Sequence, residues 1–396
     1  MSSHTARAGV SDLVAWRMRA LGLWQPVPGA ASTAAGSGVE RITAVAEHLF
    51  ALQGQDWNAV RWALGVRAPG TVDADVLAAF DSGALVRSWP MRGTLHVLAA
   101  EDLGWMQAAT NRRVLAGAAK RREFLGLDDA SLHRMTEIAV DRLTGGHALS
   151  RDELAEAWVD AGIGDRDRGL GPWRYHVIWW LSQNGLIVAG PTSGGSEPRF
   201  RLADEWIARP RQLEGEEALA ELAARFTRGR GPILDRDLAW WTGLPLRETR
   251  TGLAAASADG RLRTVDIDGR TYWADPEALD ARADATEAAD ATDAGRTLLL
   301  PSFDEHLLGY TDRSAVLDPM HVDRIVPGRN GMFAPTVVEH GRVVATWRRT
   351  VRSGSTLIEA SALPGSRLSV ARLRGPAKAW GDFHGVRVEV ATAARA

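Results

Sequence analysis

Cysteine is absent from the 396 residues, which excludes disulfides, iron–sulfur clusters and thiolate zinc sites. Lysine is nearly absent: Lys120 and Lys378 stand against 45 arginines. Chemistry that runs through a lysine amine therefore has two positions to draw on. No strong net charge is present, the total being −2, so the chain is not a uniformly basic glove for nucleic acid. No apolar run approaches the roughly 20 residues of a membrane span. The opening stretch, "MSSHTARAGVSDLVAW", lacks the charged start, apolar core and small-residue cleavage site of a secretory signal. A P-loop, a dinucleotide fingerprint, an H-E-x-x-H helix and a G-x-S-x-G elbow are missing too. The expectation is a cytoplasmic protein with no membrane partner, no metal and no other cofactor.

What is present is unevenly distributed. From Gly341 onward ten Arg or Lys face three Asp or Glu, whereas "DARADATEAADATDAG" is acidic and rich in alanine. A second basic cluster gathers Arg112, Arg113, Lys120, Arg121 and Arg122. A neutral total with local basic faces still holds phosphates. The 16 tryptophans are open to two readings, base stacking or packing. Pairs such as Trp179–Trp180 and Trp240–Trp241 fall on short helices, where packing is favoured.

A scheme of short helices followed by a β-hairpin recurs. Residues 149–206 read as two helices, the first capped by Ser150 with Glu153 at the capping-box position, and then two β-rich runs. Residues 217–276 read as three short helices and a hairpin turning at Asp268–Gly269. A looser copy lies near the N-terminus, with helices over "VERITAVAEHLFALQ", "WNAVRWALGVR" and "DADVLAAFDSG", the β segment "LVRSWPMRGTLHVL" and a basic helix from Ala99 to about Glu123. Helices followed by a two-stranded wing make a winged helix. Beyond the acidic stretch, "FAPTVVEHGRVVATWRR", "GSTLIEAS", "SRLSVARL" and "GVRVEVAT" cluster β-formers between turn signals. The expected fold is α+β, with three tandem winged-helix units scaffolded by a C-terminal β-barrel. The expected divisions are 1–130, which carries the Gln-x-Gln motif, then 131–210 and 211–283. A linker at 284–296 and the barrel at 297–396 follow.

Gln53 and Gln55 flank Gly54 at the end of an apolar helical run, and Asp56 follows. The local reading is a helix C-terminus with Gly54 as its left-handed cap. The functional reading is a pair of neutral amides able to orient a water. Asp56 reads as the N-cap of the helix starting near Trp57. The acid- and histidine-rich "SFDEHLLGYTDR" admits a metal or acid/base cluster, although turns and strand ends are the better reading. Phosphate contacts are expected from Arg92, Thr94 and His96 of "MRGTLH" and from Arg112, Arg113 and Lys120 of the basic helix.

Four phrases, "LQGQDWNAVRWALGVR", "SWPMRGTLHVL", "LLPSFDEHLLGYTDR" and "GRVVATWRR", together resemble the AlkZ/YcaQ-like DNA glycosylases, in that family's order and over about residues 10–390. The resemblance implies double-stranded DNA carrying alkylated bases as the partner, lying in a concave channel. It also implies removal of alkylated bases, in some members from bulky adducts or interstrand crosslinks. The family's catalytic motif is Gln, a middle residue that is usually aliphatic, then Gln or Asp. Gln53 and Gln55 match both chemical positions, whereas Gly54 departs from the middle one. An amide cannot act as a general base, so such a pair suffices only where the leaving group is already good. A purine alkylated at N7 or N3 is cationic and departs neutral. The implied activity is a monofunctional, water-using glycosylase for cationic alkylpurines, working as a monomer. The competing reading is a non-catalytic winged-helix regulator.

Overall fold

The computed structural model describes residues 8–30, 36–163, 171–280, 297–329 and 331–393. The linker expected at 284–296 lies outside them. The chain forms two compact units, one made of residues up to Val76 and from Leu219 onward, the other of Leu77–Ala218.

The chain begins with α1 (Val10–Ala20), α2 (Gly38–Leu49), β1 (Ala51–Gln53), α3 (Trp57–Gly65) and α4 (Asp73–Asp81). Ser37 and Glu40 form a capping box at the start of α2, whose apolar residues Ile42, Val45, Ala46 and Leu49 are all buried. The helix expected to run through Gln53 stops at Leu49. The left-handed residue expected at Gly54 is Phe50, with φ of 69°, an unfavourable backbone for a bulky side chain. Tertiary contacts hold it there. Its ring stacks on Trp241 with centroids 6.0 Å apart, and the Arg225 guanidinium lies 4.5 Å from its centroid. Asp56 caps α3 as expected, its Oδ1 accepting from the Ala59 amide at 3.0 Å.

The second unit contains β2 (Leu85–Met91), β3 (Thr94–Ala99), α5 (Leu103–Thr110), α6 (Arg112–Leu125), α7 (Asp129–Leu143), α8 (Arg151–Asp160), α9 (Gly171–Gln183), β4 (Ile187–Ala189), β5 (Phe200–Leu202) and α10 (Ala203–Trp206). Strands β3, β2, β4 and β5 lie side by side in that order. The β4–β5 hairpin is therefore not a free-standing wing, because β4 pairs with β2. The single basic helix expected over 99–123 is two helices. They break at buried Asn111, whose amide donates to the Gln183 carbonyl at 3.1 Å. The capping box of Ser150 and Glu153 is present. The core of this unit gathers Trp89, Leu132, Met135, Trp158, Leu181 and Phe200.

The first unit resumes with α11 (Gly215–Arg230), α12 (Asp235–Thr242), α13 (Leu246–Ala258), β6 (Arg263–Ile267), β7 (Arg270–Ala274) and α14 (Pro276–Asp280). The β6–β7 hairpin turns at Asp268 and Gly269, both with positive φ, the turn that matches strand twist. After it come β8 (Thr297–Leu300), α15 (Glu305–Leu308), β9 (Thr336–Glu339), β10 (Arg342–Arg352), β11 (Ser355–Ala362), α16 (Val370–His384) and β12 (Val388–Thr392). The expected barrel is not formed. The strands make an open sheet ordered β12-β11-β10-β9-β8, with β11 and β12 parallel. A parallel pair needs a crossover, and α16 supplies it while packing on both edge strands, β8 and β12. The stretch "SRLSVARL", expected as β, thus leads into a helix capped by Ser369. Its buried Leu373, Ala377, Trp380 and Phe383 repeat at helical spacing.

Candidate active site

Gln53 ends β1 and is half-buried, whereas Gln55 is exposed. The Gln53 backbone amide donates to Glu305 Oε1 at 3.2 Å. Glu305, the first residue of α15, is 1% exposed. Its Oε2 accepts from Arg230 Nε at 2.9 Å, Arg230 Nη2 at 2.8 Å and Trp241 Nε1 at 3.1 Å. Arg230 is wholly buried and also donates to the carbonyls of Leu49, at 2.8 Å, and Ala51, at 2.7 Å. One guanidinium therefore clamps the backbone on both sides of Phe50, and its carboxylate partner holds the next strand residue but one. The approach depends on Gly229, since a Cβ there would sit 2.9 Å from the His48 carbonyl oxygen.

With its backbone held, the Gln53 side chain presents a buried carbonyl oxygen, Oε1, that accepts no hydrogen bond among the described residues. Buried polar atoms are usually paired, and this oxygen is left available to a donor from outside the protein. Asp56 is engaged locally: besides capping α3, its Oδ2 accepts from Ser302 Oγ at 3.1 Å.

The "SFDEH" residues are structural partners. Asp304 takes a bidentate pair from Arg67, both contacts at 2.8 Å, and caps α15 by accepting from the His306 amide. Arg67 and its charge-assisted hydrogen bonds hold the Asp304 carboxyl below its usual range, against the upward push of burial. His306 lies 3.0 Å from the Gly341 carbonyl oxygen, and burial lowers its pKa to about 4. It is neutral at pH 7.

The expected phosphate-binding residues lie in the second unit. Arg92 stands at the β2–β3 turn with φ of 54° and is half-buried, as is Thr94. His96 is fully buried. Its Nδ1 donates to the Thr94 carbonyl at 2.9 Å, which leaves Nε2 as an acceptor facing the Arg92 guanidinium at 3.5 Å. His96 is thus placed to orient Arg92 and is not exposed for direct contact. Arg112, Arg113 and Lys120 are exposed on α6, whose one buried residue is Ala118. Arg113 and Lys120, seven residues apart, share a helix face.

Two groups escape sequence reasoning. Arg230 and Glu305 meet across 75 residues, and no local pattern announces the pairing. The β10–β11 hairpin carries Arg348, Arg349 and Arg352 on its exposed arm, with Val351 78% exposed near the turn. Ser353–Gly354 between two β-rich runs was the available signal for it.

A family model described as "DNA glycosylase AlkZ-like" matches residues 46–393, a span that includes Gln53, Gln55 and Glu305. The chain belongs to the AlkZ-like DNA glycosylases. It is a hydrolase acting on N-glycosyl bonds, and DNA is its substrate. An interstrand DNA cross-link repair glycosylase of Streptomyces sahachiroi is 25% identical over 349 residues, covering 86% of this chain and 88% of that protein. The structure of Streptomyces sahachiroi DNA glycosylase AlkZ matches with a TM-score of 0.72 at 23% identity. The match covers 98% of this AlkZ-like chain and 100% of that one, so the fold is shared. Among the described residues of this AlkZ-like glycosylase, no helix is long and apolar enough to cross a membrane.

Proposed function

We propose that this AlkZ-like glycosylase hydrolyses the N-glycosidic bond of cationic purines alkylated at N7 or N3, with a water oriented by Gln53 and Gln55. The relative's activity on interstrand cross-links extends the proposal to bulky and crosslinked N7 adducts. The observation that carries the reading is the unpaired, buried Gln53 Oε1. It sits on a strand end that Glu305 and Arg230 hold in place. A fixed carbonyl dipole accepts a hydrogen bond from the attacking water, whose proton passes to bulk solvent after attack, and favours the positive charge that develops on the sugar. It cannot take the proton away, so the bond must break largely unaided. That condition is met when alkylation has made the base a cation. Uncharged lesions such as uracil fall outside the range.

The lysines support a water-using enzyme that leaves the strand intact. Lys120 is exposed on α6, and Lys378 is exposed on α16 and paired with Asp382. Neither has the desolvated surroundings that make an amine nucleophilic. DNA phosphates are assigned to Arg92, Arg112, Arg113 and Lys120 in the second unit and to the arginines of the β10–β11 hairpin in the first. The helix–hairpin repeats over 1–130, 131–210 and 211–283 are read as winged helices that hold the duplex, with the protein acting as a monomer. Duplex DNA carrying N7-methylguanine, incubated with the enzyme and cleaved with alkali, tests the reading. The double substitution Gln53→Ala, Gln55→Ala should abolish base release and leave DNA binding intact. Undiminished release by that variant would overturn the proposal.

A further inference from the structure

In the second unit α7, α8 and α9 are followed by the β4–β5 hairpin. Helix α9 therefore stands where a winged helix carries its recognition helix, which reads DNA through a face laid in the major groove. Of the α9 side chains from Trp173 to Gln183, only Tyr175 is exposed. Val177, Ile178 and Leu181 face the core. The other faces are covered by the segment that runs from β2 to α6.

Helix α6 lies antiparallel along α9. At one end Trp173 Nε1 donates to the Leu125 carbonyl at 2.8 Å. At the other, the side-chain amides of Asn111 and Gln107 donate to the Gln183 and Ser182 carbonyls at 3.1 and 2.7 Å. Between them the Arg122 guanidinium lies 5.0 Å from the Trp180 ring centroid. The β2–β3 turn closes a third side: a Cβ on Gly93 would sit 3.3 Å from Val114 Cγ1 and 3.5 Å from Trp179 Nε1. The hairpin after α9 is engaged as well, since β4 pairs with β2.

The major groove is about 12 Å wide and admits one helix, which with its side chains is about 10–12 Å across. Packed helices lie about 8–10 Å axis to axis, so the α6–α9 pair spans roughly 20 Å and does not enter. What faces solvent is the far side of α6, where Ala118 is the one buried residue. Arg113, Lys120 and Phe124 share that side, seven and then four residues apart. Phe124 is 77% exposed, and the Arg121 guanidinium lies 5.1 Å from its ring centroid. A basic helix face with one apolar side chain complements a phosphate–sugar backbone.

We infer that α6, and not α9, is the helix of the second unit that docks on duplex DNA. Arg112, Arg113 and Lys120 hold phosphates, and the Phe124 ring rests on an adjoining deoxyribose. The inference rests on the winged-helix and phosphate readings above and deepens them. Contacts to phosphate and sugar carry no sequence information, so this unit grips a damaged duplex whatever its sequence.

The test uses the full-length protein and undamaged duplexes of randomised sequence, so its outcome is independent of base release. Release from N7-methylguanine DNA by the parent protein judges the glycosylase reading separately. Phe124→Ala should lower affinity for every duplex about fivefold, the worth of burying roughly half a phenylalanine side chain. Its salt slope should stay that of the parent, because an apolar contact releases no counterions. Arg112→Glu with Lys120→Glu should weaken binding and flatten the slope. Tyr175→Asp, which places a like charge on the exposed part of α9, should bind as the parent does. Repeated selection from the randomised pool should enrich no motif. An enriched motif, loss of binding by Tyr175→Asp, or parental affinity in Phe124→Ala would overturn the inference.

Discussion

The Gln53 amide and the Glu305 carboxylate meet at 3.2 Å across 252 residues of chain. The contact ties the proposed catalytic strand to a buried ion pair, Glu305 with Arg230. Removing one partner of a buried pair leaves an uncompensated charge, at a cost of about 3–5 kcal/mol.

Glu305→Gln keeps the side-chain volume and an acceptor for Gln53 but strands the Arg230 charge. The variant should melt at lower temperature than the parent. At temperatures where it is folded, kcat for base release should fall with KM little changed, because the amide water-holder is displaced and the DNA contacts are not. Single-turnover and steady-state rates on N7-methylguanine DNA measure the split. A fall in KM-linked binding alone would contradict the positioning role.

Glutamine does not titrate in the accessible range. The rate of base release from the bound complex should therefore be flat between about pH 6 and 9, without the limb that a general base produces. Gln53→Glu should introduce such a limb. Single-turnover rates carried down to about pH 4, through the ordinary glutamate range, decide it.

Stability should fall on mild acidification. His48, His306 and His384 each have a pKa lowered by burial from 6.5 to about 4. In the unfolded chain they take up protons near pH 6.5, whereas in the folded chain they resist until about pH 4. The unfolded state thus binds more protons throughout this window, and stability is lost as pH drops through it. Melting temperatures should decline from pH 7 to pH 4, and His306→Asn should flatten part of the slope.

Salt dependence tests the phosphate contacts. Replacing Arg113 and Lys120 on the exposed face of α6 by alanine should weaken binding to all duplex sequences alike. If both contact phosphates, the slope of log K against log salt should shrink by about 0.9 for each. An unchanged slope would return them to ordinary solvated charges.

Several local features were legible because neighbouring residues decide them. Ser150 with Glu153, Asp56 before Trp57 and Asp268–Gly269 carry their caps and turn in a few residues. Family membership was also legible, since four dispersed phrases keep their order over most of the chain. The end of α2 was not legible, because Phe50 adopts its left-handed backbone against Trp241 and Arg225, far away in sequence. Nor was α16, whose apolar spacing was masked by Gly375 and Pro376 within it.

The sequence by itself determined which chemistry is permitted: no thiolate, scarcely an amine, and two neutral amides flanking a glycine. Only the tertiary structure decided that the Gln53 amide oxygen is buried without a partner among the described residues and that Arg230 and Glu305 hold its strand. The physical reason is that side-chain identity is local, whereas burial and pairing depend on groups that the folded chain brings together from distant positions.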